Sequence, residues 1–379
     1  MAKEKTLKGS MKMFGWLFGL LAMPLVTGCA VSLDRSIALP KAPILDEHKV
    51  SIAVLPFETV QKPVDLSDDP EAAPQKKDFD ENIRNFEKKY FAARLVETLA
   101  KSPYVKEAYV SPVMTPSVDY IVKGSIIQSD GEDTKVSITL TRCCWSDAFT
   151  ETFSMDLALS HFEKSDDPGS QLWVDPVNKI GEILEKAGAE QRNSIKQERI
   201  LGYLGNGTSP AAPGPVSSKA LRTVDKAAGW ERSELLDRVS KMTLGFADEL
   251  KPTYVDWQKK STKLWEEKRQ AQLQAGLNMF AALTSFGVGM AGASMGMTNL
   301  AQPMSNAFGL GVVGAMQSGR EASIISQSMS RITGSFSEEV EPLTINLGNQ
   351  VYTLTGSMDS RIAKVKEIVR SVILSELGQ

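Results

Sequence analysis

Apolar and polar residues recur in readable periods along most of this chain, and the period changes in a definite order. The run KVSIAVLPFE (49–58) is short, rich in Val and Ile, and ends at Pro56, which cannot donate to a ladder; it predicts a buried strand. Residues 61–78 (QKPVDLSDDPEAAPQKKD) show no period and predict an exposed loop. From about Phe79 to Lys101 apolar residues return every three or four positions, at Phe79, Ile83, Phe86, Tyr90 and Ala93, with Leu95 and Leu99 extending the stripe. That predicts a helix, stopped by Ser102-Pro103. VKEAYV (105–110) and DYIVKGSIIQS (119–129) predict a second and a third strand. Asp130-Gly131 signals a turn, and TKVSITLT (134–141) alternates beyond it with Val136, Ile138 and Leu140 on one face. Phe149, Phe153 and Leu157 predict one more strand. Strand, helix, strand and hairpin in that order predict a small α/β sheet layer.

The second half is mostly helical. Residues 173–204 place Val177, Ile180, Ile183 and Leu184 on one side. GNGTSPAAPGPVSS (205–218) is a linker by composition. From Lys219 to Gln274 the text is helical and charged, with Leu235, Leu236, Val239, Met242 and Phe246 in register and Pro252 expected to divide it. No charge occurs from Gln270 to Gly319. Small residues there recur at four-residue spacing: Ser285, Gly289 and Ala293 in one row, Gly292 and Gly296 in a second. Such rows share a helix face and let two backbones approach closely, so these five residues form a candidate self-association face. Pro303 separates a second apolar piece, and the pattern predicts two helices joined by a turn. Each helical Gly costs up to about 1 kcal/mol against Ala. The hairpin therefore needs a cover, whether lipid, another subunit or its own partner arm. EPLTINLGNQVYTLTGS predicts a β-hairpin around Gly348-Asn349. Ser357 then caps a helix whose apolar face is Ile362, Val365, Val369, Val372 and Ile373, ending at Gly378.

The expected fold class is α+β. A small mixed sheet with packed helices comes first, then a helical region with an uncharged Gly-rich helical hairpin, then a C-terminal β-hairpin plus helix. The expected segments are a signal peptide (1–28), a lipidated tether (29–48), an α/β domain (49–160), a helical segment (161–204), a linker (205–218), charged helices (219–269), the uncharged hairpin (270–319) and the C-terminal unit (335–379).

The N-terminus changes the picture. Lys3, Lys5, Lys8 and Lys12 stand against Glu4, and MFGWLFGLLAMPLV (13–26) then carries no charge over 14 residues. That length suits the apolar region of a signal peptide and falls short of the roughly 20 residues of a membrane span. A buried core helix would give the same apolar letters. The order of charge, apolar run, small residues and Cys is what favours export. Val26-Thr27-Gly28-Cys29 resembles the lipobox of bacterial lipoproteins. The resemblance implies that the Cys29 thiol takes a diacylglyceryl group, that the signal is cut before it, and that the new amine is acylated. Several acyl chains anchor firmly, since one alone is marginal. Ala30 in place of Asp implies the outer membrane of a Gram-negative cell.

Composition narrows function further. The net charge of −3 becomes −6 once residues 1–28 leave, which disfavours a general nucleic-acid role. Cys143 and Cys144 are adjacent, so on a strand they face opposite ways and a bond between them would be strained. One buried and one exposed thiol is the expectation. His48 and His161 stand at no metal-ligand spacing. There is no Walker loop, GxSxG elbow, HExxH or CxxC. SDDPE (67–71) and KSDDPG (164–169) lack the alternating oxygens of an EF-hand loop and read as solvated turns. No catalytic, cofactor or metal residue is expected.

SIAVLPFE, the helix decorated with acids and bases behind it, and DYIVKGSI together resemble the periplasmic lipoprotein domains of the curli-secretion (CsgG-like) and TolB N-terminal type, over about residues 49–145. Those domains scaffold, form rings or bind partners. The long alternating membrane strands of the curli channel have no counterpart here, which counts against a pore. The block EVEPLTINLGNQVYTLTG and its helix resemble the tail of several bacterial lipoproteins. The expected function is a non-enzymatic, lipid-anchored outer-membrane scaffold or assembly factor of an envelope or surface secretion structure. The alternatives are an export-channel component or a regulator of peptidoglycan synthesis. The expected partners are membrane lipid through acylated Cys29 and either a second copy or other envelope subunits.

Overall fold

The computed structural model describes residues 35–41, 43–60, 73–142, 146–204, 218–288, 342–347 and 350–376. All of them lie in one compact unit, Leu33–Gln379. The fold is α+β, with a mixed six-stranded sheet and a separate two-stranded one.

Strand β1 (Val50–Val54) is buried at every position. Ile52 and Val54 face one hydrophobic layer and Ala53 the other. A strand covered on both faces needs an unbroken apolar run, which VSIAV supplies. It pairs in parallel with β3 (Val105–Val110) on one side and β4 (Tyr120–Ser129) on the other. Pro56 ends it, and the two-residue β2 (Glu58–Thr59) continues alongside β4. Strands β4, β5 (Asp133–Arg142) and β6 (Ser146–Asp156) form an antiparallel meander. The sheet order is β3-β1-β4-β5-β6. Gly131, at φ +92°, makes the tight turn between β4 and β5.

The first face of the sheet is covered by α1 (Ala73–Leu99), the first half of α3 (Val174–Leu204) and part of α5 (Asp237–Val288). Its core is aromatic: Phe57 meets Phe91 and Trp173 edge-on at 6.0 and 5.9 Å. A side chain at Gly124 of β4 would collide with the Phe57 ring. The second face is covered by α4 (Ser218–Trp230), the turn behind it, and the C-terminal unit. That unit comprises β7 (Leu343–Leu347), β8 (Gln350–Leu354) and α6 (Met358–Glu376). Its core is mainly aliphatic, with Leu235, Leu236, Val239, Ile345, Leu354, Val365 and Val369 packed over Ala53 and Ile121. Between β6 and α3 lie the short α2 (Leu159–Lys164) and a 3-10 turn, Pro168–Trp173.

Three expectations change. Pro252 does not divide the charged helices, because α5 runs through it. Ala247 and Tyr254, buried on either side of the proline, hold both flanking turns in the core and offset the lost backbone bond. Residues 73–78, expected in a loop, are the first turns of α1. The part of the expected tether that is described lies against α3. Arg35 pairs with Asp175 at 2.6 Å, and Asn178 accepts from the Ala38 amide and donates to the Ser36 carbonyl. Ile37 and Ile44 pack on the core. The C-terminal unit covers the second face of the sheet within the same compact unit as the α/β domain. Residues 61–72 of the expected loop, residues 205–217 and 289–341, and the Cys143-Cys144 pair lie outside the described residues.

Candidate functional site

Helix α1 carries charge on its buried stripe. Glu87 follows Ile83 by one turn and Arg94 follows Tyr90 by one turn, so both share the face that meets the core. Glu87 is fully buried. Its Oε1 accepts from the Ser129 hydroxyl at 2.6 Å and the Tyr254 phenol at 2.8 Å; its Oε2 accepts from Arg84 Nη1 at 2.8 Å. Burial pushes the carboxyl above its usual range, and the Arg84 charge opposes that push. Burial and then the Glu87 charge push the Tyr254 phenol up. One carboxylate thus joins α1, the end of β4 and α5.

Arg94 lies beside that lock. Its guanidinium carbon sits 5.0 Å from the centre of the Tyr90 ring. Nη1 donates to Glu97 at 2.5 Å and to Asp248 at 3.2 Å. Nε and Nη2 are buried and find no hydrogen-bond partner among the described residues. A small cavity opens here between α1, the 3-10 turn and α5, lined by Tyr90, Arg94, Thr134, Asp167, Tyr254 and Gln258 among others. The Thr134 hydroxyl is buried and also finds no hydrogen-bond partner among the described residues. The free space accommodates about one water molecule. Asp167 corrects an expectation: KSDDPG reads as a solvated turn, yet Asp167 is buried and pairs with Lys251 at 2.9 Å. The lysine arrives from the same α5 turn as Pro252, so nothing near Asp167 in sequence announces the pair. The cavity is a polar joint and is too small for an organic substrate.

A second buried carboxylate sits on the other face. Residues Glu231–Leu236 form a π-helical turn between α4 and α5. π-turns re-aim side chains and are common at functional positions. Glu231 is fully buried and accepts from the Thr115 hydroxyl and, at 3.1 Å, from the Tyr203 phenol. Burial pushes its carboxyl up to about 7. Arg232 turns outward, donating to the Ser117 carbonyl and standing 3.5 Å from Glu107. Glu231 therefore ties α3, the loop after β3 and the π-turn together through hydroxyls.

Of the residues singled out from sequence, Ser285 lies in the last turns of α5, while Cys29, Gly289, Gly292, Ala293 and Gly296 lie outside the described residues. His161 is buried, and its Nδ1 accepts from the Ala158 amide at 3.1 Å, which makes it a helix cap. His48 ends a 3-10 turn. Among the described residues no three His, Cys, Asp or Glu side chains are placed to hold a metal ion, and no helix is long and apolar enough to cross a membrane. Sequence reasoning missed Glu87, Arg94 and Glu231. A signal existed for the first two, since a charge in register with an apolar stripe must find a buried partner. Glu231 carries the same signal, one turn before Leu235 and two before Val239.

No family model, no curated protein and no solved structure matches this chain.

Proposed function

We propose that the chain is a lipid-anchored envelope lipoprotein that acts as a non-enzymatic scaffold or assembly factor at the outer membrane. The observation that carries this reading is the run Val26-Thr27-Gly28-Cys29 directly behind a basic segment and 14 uncharged residues. The order suits export, cleavage and acylation at Cys29. The resemblance of residues 49–145 to curli-secretion and TolB N-terminal domains supports a partner-binding role. The interior supports it too. Glu87 and Glu231 are each held by side chains from separate elements, an arrangement that stiffens a framework.

The test is metabolic labelling of cells with radioactive palmitate, alongside a Cys29→Ser variant. The expected result is a labelled wild-type band in the outer-membrane fraction and an unlabelled variant that leaves it. An unlabelled wild-type protein, recovered in the cytosol with Met1 intact, overturns the reading.

A further inference from the structure

The sheet ends at β6, and no described strand pairs with its outer edge. A long open edge is a template for another strand. Within it, Phe149-Thr150-Glu151-Thr152-Phe153 reads the same in both directions. Such a segment is its own complement under a two-fold axis, because antiparallel pairing centred on Glu151 sets Phe149 opposite Phe153 and Thr150 opposite Thr152. Thr150, Glu151 and Thr152 are exposed, and Phe149 and Phe153 are half-buried. We propose that β6 pairs with β6 of a second copy of this chain about a two-fold axis through Glu151.

Three observations favour this occupant. First, the Phe–Phe and Thr–Thr cross-strand pairs that the joint would create suit a sheet. The Thr139 and Thr150 hydroxyls already meet at 2.9 Å across β5 and β6, and aromatic pairs are among the better cross-strand contacts. Second, the single unfavourable pair is already compensated. A charge in the middle of an edge strand ordinarily blunts it. Here Lys179 of α3 holds its ammonium 3.4 Å from Glu151. Each copy therefore brings a cation to the point where two glutamates meet. Third, the register between β5 and β6 shifts between Leu140 and Thr141, so Ala148 is an extra residue in β6. The bulge bends the strand just before Phe149 and delimits the regular segment to begin at the palindrome. The inference does not depend on the lipid anchor: it concerns an edge 122 residues past Cys29 and holds for the chain with or without acylation.

Sedimentation velocity of the full chain in mild detergent, over a range of concentrations, is the first measurement, and a reversible monomer–dimer equilibrium is expected. The Thr150→Arg/Thr152→Arg variant sets like charges opposite each other at two positions and should weaken the dimer roughly tenfold. Both side chains are exposed and only the exposed Thr139–Thr150 hydrogen bond is lost, so the monomer should melt close to the wild type. Lys179→Glu should also weaken the dimer, and adding Glu151→Lys should restore it by swapping the pair. Register is read by oxidation in a Cys143→Ser/Cys144→Ser background. Glu151→Cys meets itself and should give a covalent dimer, while Ser154→Cys faces Ala148 and should not. A chain monomeric at every concentration overturns the proposal. So does a dimer indifferent to Thr150→Arg/Thr152→Arg, or cross-linking no stronger at position 151 than at 154.

Discussion

The two faces of the sheet bury a carboxylate each, and they do so by opposite means. Glu87, on the aromatic face, is met by a cation: Arg84 lies one turn earlier on the same helix, and two hydroxyls complete the shell. Glu231, on the aliphatic face, is met by hydroxyls alone, while its neighbour Arg232 turns to a backbone carbonyl and to Glu107. A paired carboxylate can stay ionised inside a protein, whereas one held only by hydroxyls gains by keeping its proton. Burial raises both carboxyls and the Arg84 charge opposes the rise at Glu87, so deleting a partner on the aromatic face orphans a charge, whereas on the aliphatic face it removes hydroxyl contacts.

The largest expected effect breaks the first face. Glu87→Ala leaves Arg84, Ser129 and Tyr254 without their shared acceptor and should cost about 3–5 kcal/mol. Urea unfolding by circular dichroism measures it. Glu231→Ala at pH 5 should cost less, since no buried cation is orphaned.

Next in size is the pH response of the second face. Burial raises Glu231 from an ordinary 4.5 to about 7. Between those values the folded chain holds a proton that the unfolded chain has released, so this group's stabilisation is complete below pH 4.5 and is lost as pH rises through 7. The loss is roughly 3 kcal/mol. Glu231→Gln keeps a neutral group in place and should flatten the dependence, matching the wild type at pH 4.5 and exceeding it at pH 8. Thermal melts at both values decide this. A steep dependence that survives in the variant would move the titration to Glu87 or to Asp133, which burial and then Asp130 push up to about 6.

Smaller effects sharpen the contrast in packing. Gly124→Ala drives a methyl into the Phe57 ring and should destabilise by about 1–3 kcal/mol on the aromatic side. Pro252→Ala restores a backbone donor inside α5 and should stabilise by about 1 kcal/mol. Most of the ~3 kcal/mol that proline costs a free helix is absorbed by the anchored turns on either side. Chemical denaturation separates both from the wild type.

Much of the layout could be read from residue order. VKEAYV is β3 over the same residues, 105–110, and the meander and the C-terminal hairpin pair in the register that their alternation demands. Alternation and helical stripes are local properties, set within a turn or two of chain, and they survive folding unless a distant contact intervenes. Where one intervenes, the reading fails. Pro252 reads as a break until Ala247 and Tyr254 are seen inside the core. Residues 35–41 read as a tether until α3 offers Asp175 and Asn178 to hold them. KSDDPG reads as a wet turn until Lys251 arrives from 84 residues away. The candidate site follows the same rule. Glu87 and Arg94 betray themselves by sharing a stripe with Ile83 and Tyr90, but their partners Tyr254 and Asp248 come from α5. Glu231 likewise shares the stripe of Leu235 and Val239, but its partners Thr115 and Tyr203 come from the loop after β3 and from α3.

Residue order alone determined most of the element types, the unbroken apolar run of β1 and the palindrome in β6, because each depends on neighbours a few positions off. Tertiary structure alone decided that α4 and the C-terminal unit close the second face, that Asp167 is dry, and that Glu231 meets hydroxyls and no buried cation. Desolvation is set by whatever packs overhead, and here the partners come from 28 to 116 residues away along the chain.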